Sequence, residues 1–397
     1  MSRVELAEND RAGTLVELDD LKAATLAALS IVEVRPERPG VWRLLPVANT
    51  VGAVRVGDLD LVVRPKASFS SVLFMLGYAK DPGFVLGEIA GLADEGLWPA
   101  VAETLARLAE RALGRGVLQG YVTREDSLAV VRGRIRMTDQ IARRPGILVP
   151  LDVTYDEYQG DIAENRILRS ALVRMTQVPR LPLGLHRRLG HLAARLDGVR
   201  VLVPGAPLPE WRPSRLNERY QPVLRLSELV LRHVGLSTNA GDASVAAFVV
   251  NMATVFEDFV TVALREALAH LNPGGHTESQ FRTFLDTARR VPIRPDVVHT
   301  IDRIPVIVLD AKYKLGTADG RYPEADLYQV HAYCTALGLR RGWLVYAGSR
   351  AEGAAPSRHR IRNTEIDIVQ WPLDVSRKPS ELLRDVEQLA SLALRGV

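Results

Sequence analysis

Asp296 and Asp310 stand fourteen positions apart, in the stretch Arg294-Pro295-Asp296 … Val308-Leu309-Asp310-Ala311-Lys312. The run before the second aspartate, Ile304-Pro305-Val306-Ile307-Val308-Leu309, is apolar and β-branched. That is unusual company for an acid unless the acid ends a strand and has a partner there. Side chains alternate between the two faces of a strand, so Asp310 and Lys312 share a face. A Pro-Asp on the neighbouring strand of a hairpin brings Asp296 opposite Asp310. Two carboxylates and the carbonyl of Ala311 form a set of hard oxygen donors suited to Mg2+, which keeps several of its waters. The ammonium of Lys312 then sits where it can position or deprotonate one of those waters, and the set as a whole can hydrolyse phosphodiesters. The competing reading of the same letters is a Pro-Asp turn followed by an ordinary solvated Asp-x-Lys.

Lysine usage sharpens the pattern. Among 51 basic residues the chain holds six lysines, at 22, 66, 80, 312, 314 and 378, and writes arginine nearly everywhere else. A lysine kept at 312 suits a task that needs a compact ammonium able to lose its proton, which guanidinium cannot supply. Lys314 has no part in this reasoning.

Two flanking segments can serve the same site. Ala246 to Val260 reads as a largely buried helix whose first acid is Glu257, a further metal or water ligand or else a solvated helix-end acid. Asp326 to Tyr333 reads as a helix that places Gln329 and Tyr333 at i, i+4 on one face. That pair can hydrogen-bond a DNA backbone, brace the lysine, or simply pack. The strand Gly342-Trp343-Leu344-Val345-Tyr346 follows. The order helix, hairpin, helix, strand is that of a small mixed α/β nuclease core.

Elsewhere the chain divides into three. Residues 1–150 hold short β-type runs at 41–45, 51–56, 59–63 and 128–135, with helical stretches near 71–79 and 98–114, and read as a β-rich mixed N-terminal domain. Residues 151–240 read as a helical connecting region. Asp161 can cap a helix with Glu164 at its third position, over a stripe of Ile167, Leu168, Ala171, Leu172 and Met175. A second helix carries Leu185, Leu189, Leu192 and Leu196, with Arg187, Arg188 and Arg195 on the far side as a solvated face or a phosphate contact. Residues 203–210 are a Pro-rich break, and 237–242 is the linker at which the third domain, 241–397, begins. Arg132, Arg134 and Arg136 fall on one face if their segment is a strand, presenting cations to phosphates, to a partner or to surface acids.

At 397 residues and 47% hydrophobic content, several full-sized cores are expected. A formal charge of +4 is small for this length, so contact with nucleic acid has to be local. One cysteine, Cys334, excludes an intrachain disulfide framework and suits a reducing cytoplasm. No signal-peptide core or membrane span is apparent, and His299 reads as a strand residue. A Gly-x-x-x-x-Gly-Lys-Ser/Thr phosphate loop is absent, so the chain is not itself a nucleotide-driven motor.

With these residues in hand, the C-terminal part resembles a PD-(D/E)XK nuclease, with the Gln-x-x-x-Tyr element of the RecB-like branch. The longer set of Phe256-Glu257, Pro295-Asp296, Asp310-Ala311-Lys312-Tyr313-Lys314 and Gln329 to Tyr333 is similar to the McrC family, the nuclease subunit of McrBC-type modification-dependent restriction systems. Arg64-Pro65-Lys66, Met75 to Ala79, Arg132 to Ile135, Tyr155 to Tyr158 and Asn165 to Leu168 agree in order with that family. The resemblance implies a restriction-endonuclease-like α/β core and Mg2+-dependent cleavage of double-stranded DNA by Asp296, Asp310 and Lys312, with Glu257, Gln329 and Tyr333 in support. It also implies a partner, an McrB-like hexameric AAA+ GTPase that recognises the modified base and whose hydrolysis this chain stimulates, docked through residues 1–150. A non-cutting regulator of such a motor, or another RecB-like DNA-processing nuclease, would share these features.

Overall fold

The computed structural model describes residues 2–82, 97–238, 244–314, 324–348 and 356–395. The first elements are β1 (Ser2–Ala7), β2 (Thr14–Glu17), α1 (Asp20–Ala28), β3 (Val32–Arg38), β4 (Val41–Pro46), β5 (Thr50–Val56), β6 (Leu59–Arg64), α2 (Phe69–Lys80) and α3 (Leu97–Leu113). The middle carries β7 (Gly120–Leu128), β8 (Arg134–Ile135), α4 (Met137–Arg143), β9 (Leu151–Gln159), α5 (Ala163–Thr176), α6 (Leu183–Ala194) and α7 (Gln221–His233). The last third holds β10 (Val234–Thr238), β11 (Ser244–Asn251), α8 (Met252–Leu271), β12 (Gly275–Ser279), β13 (Thr283–Phe284), β14 (Pro292–Ile293), β15 (Val297–Ile301) and β16 (Ile304–Lys312). It closes with α9 (Glu324–Leu337), β17 (Arg341–Ala347), β18 (Ser357–Arg360), β19 (Asp367–Leu373) and α10 (Pro379–Leu394).

The chain packs as two units, one of residues 1–97 with 235–397 and one of residues 98–234. This division differs from the three consecutive segments read from the sequence, and β11 is the reason. The stretch read as the start of a buried helix, 246–251, is instead a strand that pairs antiparallel with β5 from Val245↔Val56 to Asn251↔Thr50. Val245, Val249 and Val250 favour the extended state, and a free edge of β5 was available to receive them. A Cβ at Gly52 would sit 1.9 Å from Phe248 O, so this close pairing requires glycine there. The helix begins only after Asn251, whose side chain accepts from Ala253 N at 3.0 Å and Thr254 N at 3.2 Å. The resulting sheet, β1-β6-β5-β11-β10, is built from both ends of its unit.

The second large sheet of the same unit has the order β12-β15-β16-β17-β19-β18. β15 and β16 form the expected hairpin, antiparallel with Val297↔Leu309, and β16 then runs parallel to β17. From Ile307 to Ala311 every residue of β16 is buried, as befits a central strand covered on both faces. Helix α9 lies on this sheet so closely that a Cβ on Gly342 would meet Val330 Cγ1 at 2.3 Å and Cys334 Sγ at 2.7 Å. Val298, Val308, Val330, Tyr333, Cys334, Leu344, Tyr346 and Ile368 make up the local core.

Residues 98–234 pack α5 against α6 and α7 beside the small sheet β7-β9-β8. The leucine stripes of α5 and α6 are buried as their spacing predicts. Three expectations change here. Leu151–Gln159, read as the start of a helical region, is a strand paired with β7 along its whole length. Asp161 does not cap α5, whose N-cap is Ile162; its carboxylate is taken by Arg166 and Arg200, which offer charge as well as donors. The run 128–135 is not one strand but the end of β7, a turn with Gly133 at φ +69°, and β8. Arg132, Arg134 and Arg136 therefore share no strand face; Arg132 stacks on Tyr155 and Arg136 pairs with Glu125 and Asp139. Of the linker read at 237–242, Ser237 and Thr238 belong to β10, and the remainder lies outside the described residues.

Among the described residues no helix is long and apolar enough to cross a membrane.

Candidate active site

Asp296 immediately precedes β15, Asp310 and Lys312 lie on β16, and the pairing of those strands brings all three together. Asp296 Oδ2 accepts from Ala311 N at 2.9 Å, a buried hydrogen bond across the hairpin. Its Oδ1 accepts from Gln280 Nε2 at 2.8 Å, and Gln280 N donates to Asp296 O at 2.8 Å. Gln280, in left-handed backbone at φ +53°, thus grips both the side chain and the backbone of Asp296. Nothing in the local sequence marks Gln280; its place depends on β12 pairing with β15.

Asp310 is 1% exposed. Its Oδ2 lies 2.6 Å from Lys312 Nζ, an ion pair that lacks the alignment of a hydrogen bond. Burial, and after it the charge of Asp296, pushes the Asp310 carboxyl up to about 7, against the opposing pull of Lys312. For Lys312 burial works downward, yet the carboxylates of Asp310, Asp296 and Glu257 outweigh it and hold the ammonium above its ordinary value. Lys312 is therefore a cation in this arrangement. It is equipped to position and polarise a neighbour.

Glu257, on the first turns of α8, is half-buried, and its carboxyl is raised by burial, then by Asp296, with Lys312 pulling the other way. The structure thus brings Glu257 within reach of the same charges. Gln329 and Tyr333 meet one another, Gln329 Nε2 donating to the Tyr333 hydroxyl at 2.7 Å. That hydroxyl donates to Arg294 O at 3.3 Å, just before Pro295-Asp296. Burial and then the Asp310 charge push the Tyr333 phenol up to about 12. The pair ties α9 to the Asp296 loop; among the described residues, no hydrogen bond joins either side chain to Lys312, so direct bracing of the lysine is not seen.

Lys314, which had no role in the sequence reading, pairs with Asp326 at 2.7 Å, and Tyr346 donates to the same carboxylate at 3.2 Å. His299 is a buried strand residue, as its position predicts, with Nδ1 2.8 Å from Thr277 Oγ1. Among the described residues, no three Asp, Glu, His or Cys side chains stand close enough to hold a metal by themselves.

A mixed sheet flanked by helices, with two buried aspartates and a lysine on adjacent strands, defines a mixed α/β protein with an acidic polar site. The chain belongs to the family of McrBC 5-methylcytosine restriction system components, whose model matches residues 45–347. This agrees with the resemblance to McrC carried by the motifs. Among solved structures, the chain is similar over 100% of both chains, at TM-score 0.61 and 19% identity, to a chain of the half-complex of Thermococcus gammatolerans McrB AAA+ hexamers with bound McrC. It thus shares that chain's fold. A chain of the T. gammatolerans McrBC complex matches at TM-score 0.40 and 20% identity, over 68% of this chain and 88% of that one. No curated protein matches.

Proposed function

We propose that this chain is the Mg2+-dependent DNA endonuclease subunit of its restriction system, built on a PD-(D/E)XK core, and that it works with an McrB-like AAA+ GTPase whose hydrolysis it stimulates. The observation that carries the reading is the convergence of Asp296, Asp310 and Lys312 through the Asp296–Ala311 hydrogen bond and the Asp310–Lys312 ion pair. The residues fit a hard cation. Asp310 Oδ2 is buried, receives no aligned hydrogen bond and stands beside a second carboxylate whose charge raises its proton affinity, a deficit that a divalent ion relieves. Asp296, Asp310 and the carbonyl of Ala311 would hold the ion, with Glu257 reaching it through water. A bound Mg2+ would supply charge to a phosphodiester and acidify a water.

The chain's own residues have separate tasks. Lys312, held as a cation, orients the attacking water and offsets charge that develops on the phosphate oxygens. Gln280 keeps Asp296 aimed across the hairpin, and the Gln329–Tyr333 pair fixes the loop from which Asp296 emerges. The T. gammatolerans relative is described with McrB AAA+ hexamers, which supports a motor of that class as the partner here.

The test is cleavage of methylated duplex DNA by the chain with a co-purified AAA+ partner, with and without Mg2+ and GTP. Cleavage that needs all three components supports the reading. Stimulated GTP hydrolysis without any nicking would instead make the chain a non-cutting regulator. Robust nucleotide-independent cutting of unmodified DNA by the chain alone would count against the restriction-subunit role and favour another DNA-processing nuclease.

A further inference from the structure

The segment that leads into Asp296 is a hairpin of its own. Residues 281–295 run out along β13 and return along β14, with Thr283↔Ile293 and Phe284↔Pro292 in register. The base of this hairpin is the candidate site. Gln280 N donates to Asp296 O and Phe281 N to Pro295 O, so the register of β13 and β14 continues down to Asp296. The Tyr333 hydroxyl, by donating to Arg294 O, fastens the returning arm as well. Near the tip, Arg289 has φ +55°, and Asp286 Oδ1 accepts from Arg290 N and Val291 N, both at 2.8 Å. Bonded at base, arm and tip, the hairpin is a preformed extension of the site.

Its two faces differ. Phe281 and Ile293 pack against the core beneath α9. Neighbouring residues of a β-ribbon alternate between faces, so the register sets Arg282 opposite Arg294, beside Phe284 and Pro292, on the other face, and all four are exposed. Arg289 and Arg290 carry exposed positive charge on to the tip. The hairpin thus holds four arginines against one aspartate, an excess of three positive charges, and the carboxylate of that aspartate is turned into its own loop. Among the described residues none of the four arginines pairs with an acid, whereas Arg35 and Arg340, also exposed, rest on Glu33 and Glu365. Like charges directly opposite each other on a ribbon repel and weaken it. In a chain that is only slightly basic as a whole, an uncompensated cluster of this kind calls for an anion supplied from outside.

We infer that the exposed face of this hairpin receives the sugar–phosphate backbone of duplex DNA flanking the scissile bond, with Arg282 and Arg294 as phosphate contacts at its base and Arg289 and Arg290 further along. The inference rests on the DNA-cleaving reading for its substrate. Two residues, about 7 Å of extended chain, separate Arg294 from Asp296, so a strand with one phosphate at Asp296 brings its neighbouring phosphates to Arg294. Contacts of this kind position the strand and carry no sequence information, which suits a chain whose base recognition is delegated to a partner. Arginine forks also match phosphate oxygens in pairs.

The experiment measures binding of a short duplex oligonucleotide to the full-length chain by fluorescence anisotropy, without Mg2+, over a series of NaCl concentrations that begins at low ionic strength. Arg282→Ala and Arg294→Ala should each weaken binding equally for all sequences and make the slope of log K against log salt shallower by about 1. Arg282→Lys and Arg294→Lys, which keep the charge, should keep the slope. Arg340→Ala, at an exposed arginine outside the hairpin, should leave it unchanged. Unchanged slopes in the two alanine variants overturn the inference, as do slopes lost equally in the lysine variants or a wild-type chain that binds no duplex. So does loss of assembly with the AAA+ partner at unchanged DNA affinity, which would make the hairpin a surface for an acidic protein. The expected slopes without cleavage by the chain, its partner and Mg2+ together would sink the nuclease reading and leave the hairpin standing; cleavage with unchanged slopes would do the reverse.

Discussion

Asp161 and Asp310 are both shielded aspartates with cationic neighbours, and their surroundings act on them in opposite ways. In residues 98–234, Asp161 receives Arg166 Nε at 2.7 Å, Arg166 Nη2 at 2.9 Å, Arg200 N at 3.0 Å and Arg200 Nε at 2.8 Å. Those donors, Arg166 foremost, hold its carboxyl far below the usual carboxylate range. In the other unit, Asp310 has one lysine and no aligned donor to Oδ2, with a second carboxylate close by, and its carboxyl is pushed up. Hydrogen-bonded charges matched to their donors stabilise a fold. Buried charge left in excess is costly and persists where a ligand will compensate it. The contrast separates an acid matched to its donors from acids crowded at the proposed site.

The largest effect should come from the site. Asp310→Asn removes a proposed anionic ligand while keeping size, and Lys312→Ala removes the cation proposed to orient water. Each should lower DNA cleavage by two orders of magnitude or more, in line with roughly 10²–10⁴ for a positioned catalytic group. Assembly with the AAA+ partner and stimulation of its hydrolysis should persist, measured on the same preparations. Full cleavage by either variant would erase the distinction.

Asp161→Ala should have the next largest effect, now on stability. Losing several charge-assisted hydrogen bonds and leaving Arg166 unmatched should cost about 2–3 kcal/mol, read from urea unfolding at pH 7. Because the folded carboxyl is depressed, its contribution is fully present above the unfolded value near 4 and is lost as pH falls below it. The gap between wild type and variant should therefore close in acid; an unchanged gap at pH 3 would refute the electrostatic cause.

Asp310 should show the opposite sign. Its folded carboxyl is raised, so ionising it costs nothing below the unfolded value near 4, and the penalty grows as pH rises toward about 7. Without metal, Asp310→Asn should match wild type at pH 4 and melt higher at pH 8, while added Mg2+ should raise the melting temperature of wild type only. A melting curve for the variant that lies below wild type at pH 8 would contradict the crowding of the carboxylates.

The smallest effect belongs to Arg188, which reaches Glu110 at 2.6 Å and Glu103 at 2.8 Å on a partly exposed face. These acids hold the arginine above its ordinary value, yet solvent screens the network, so Arg188→Ala should cost no more than about 1 kcal/mol and less in high salt. A salt-independent loss of several kcal/mol would move Arg188 into the class of Asp161.

What the sequence determined by itself was short-ranged. The period-two face of Asp310 and Lys312, the antiparallel hairpin that sets Asp296 against them, the apolar stripes of α5 and α6, and the i, i+4 contact of Gln329 with Tyr333 all follow from repeats within a few residues. The tertiary structure decided what lies far apart along the chain. It made 246–251 a strand, because the vacant partner β5 stands about 190 positions earlier, and a chain cut near Gly241 would leave β11 without it. Sheet pairing brought Gln280 onto Asp296, and strand ends separated by 305 positions placed Glu8 under Tyr313. It also gave Asp161 to two arginines instead of a helix cap, since a carboxylate gains more from charged donors than from the backbone amides that its local sequence offers. Periodicity within an element reports which face is buried; which other element covers that face depends on pairings that no local repeat records.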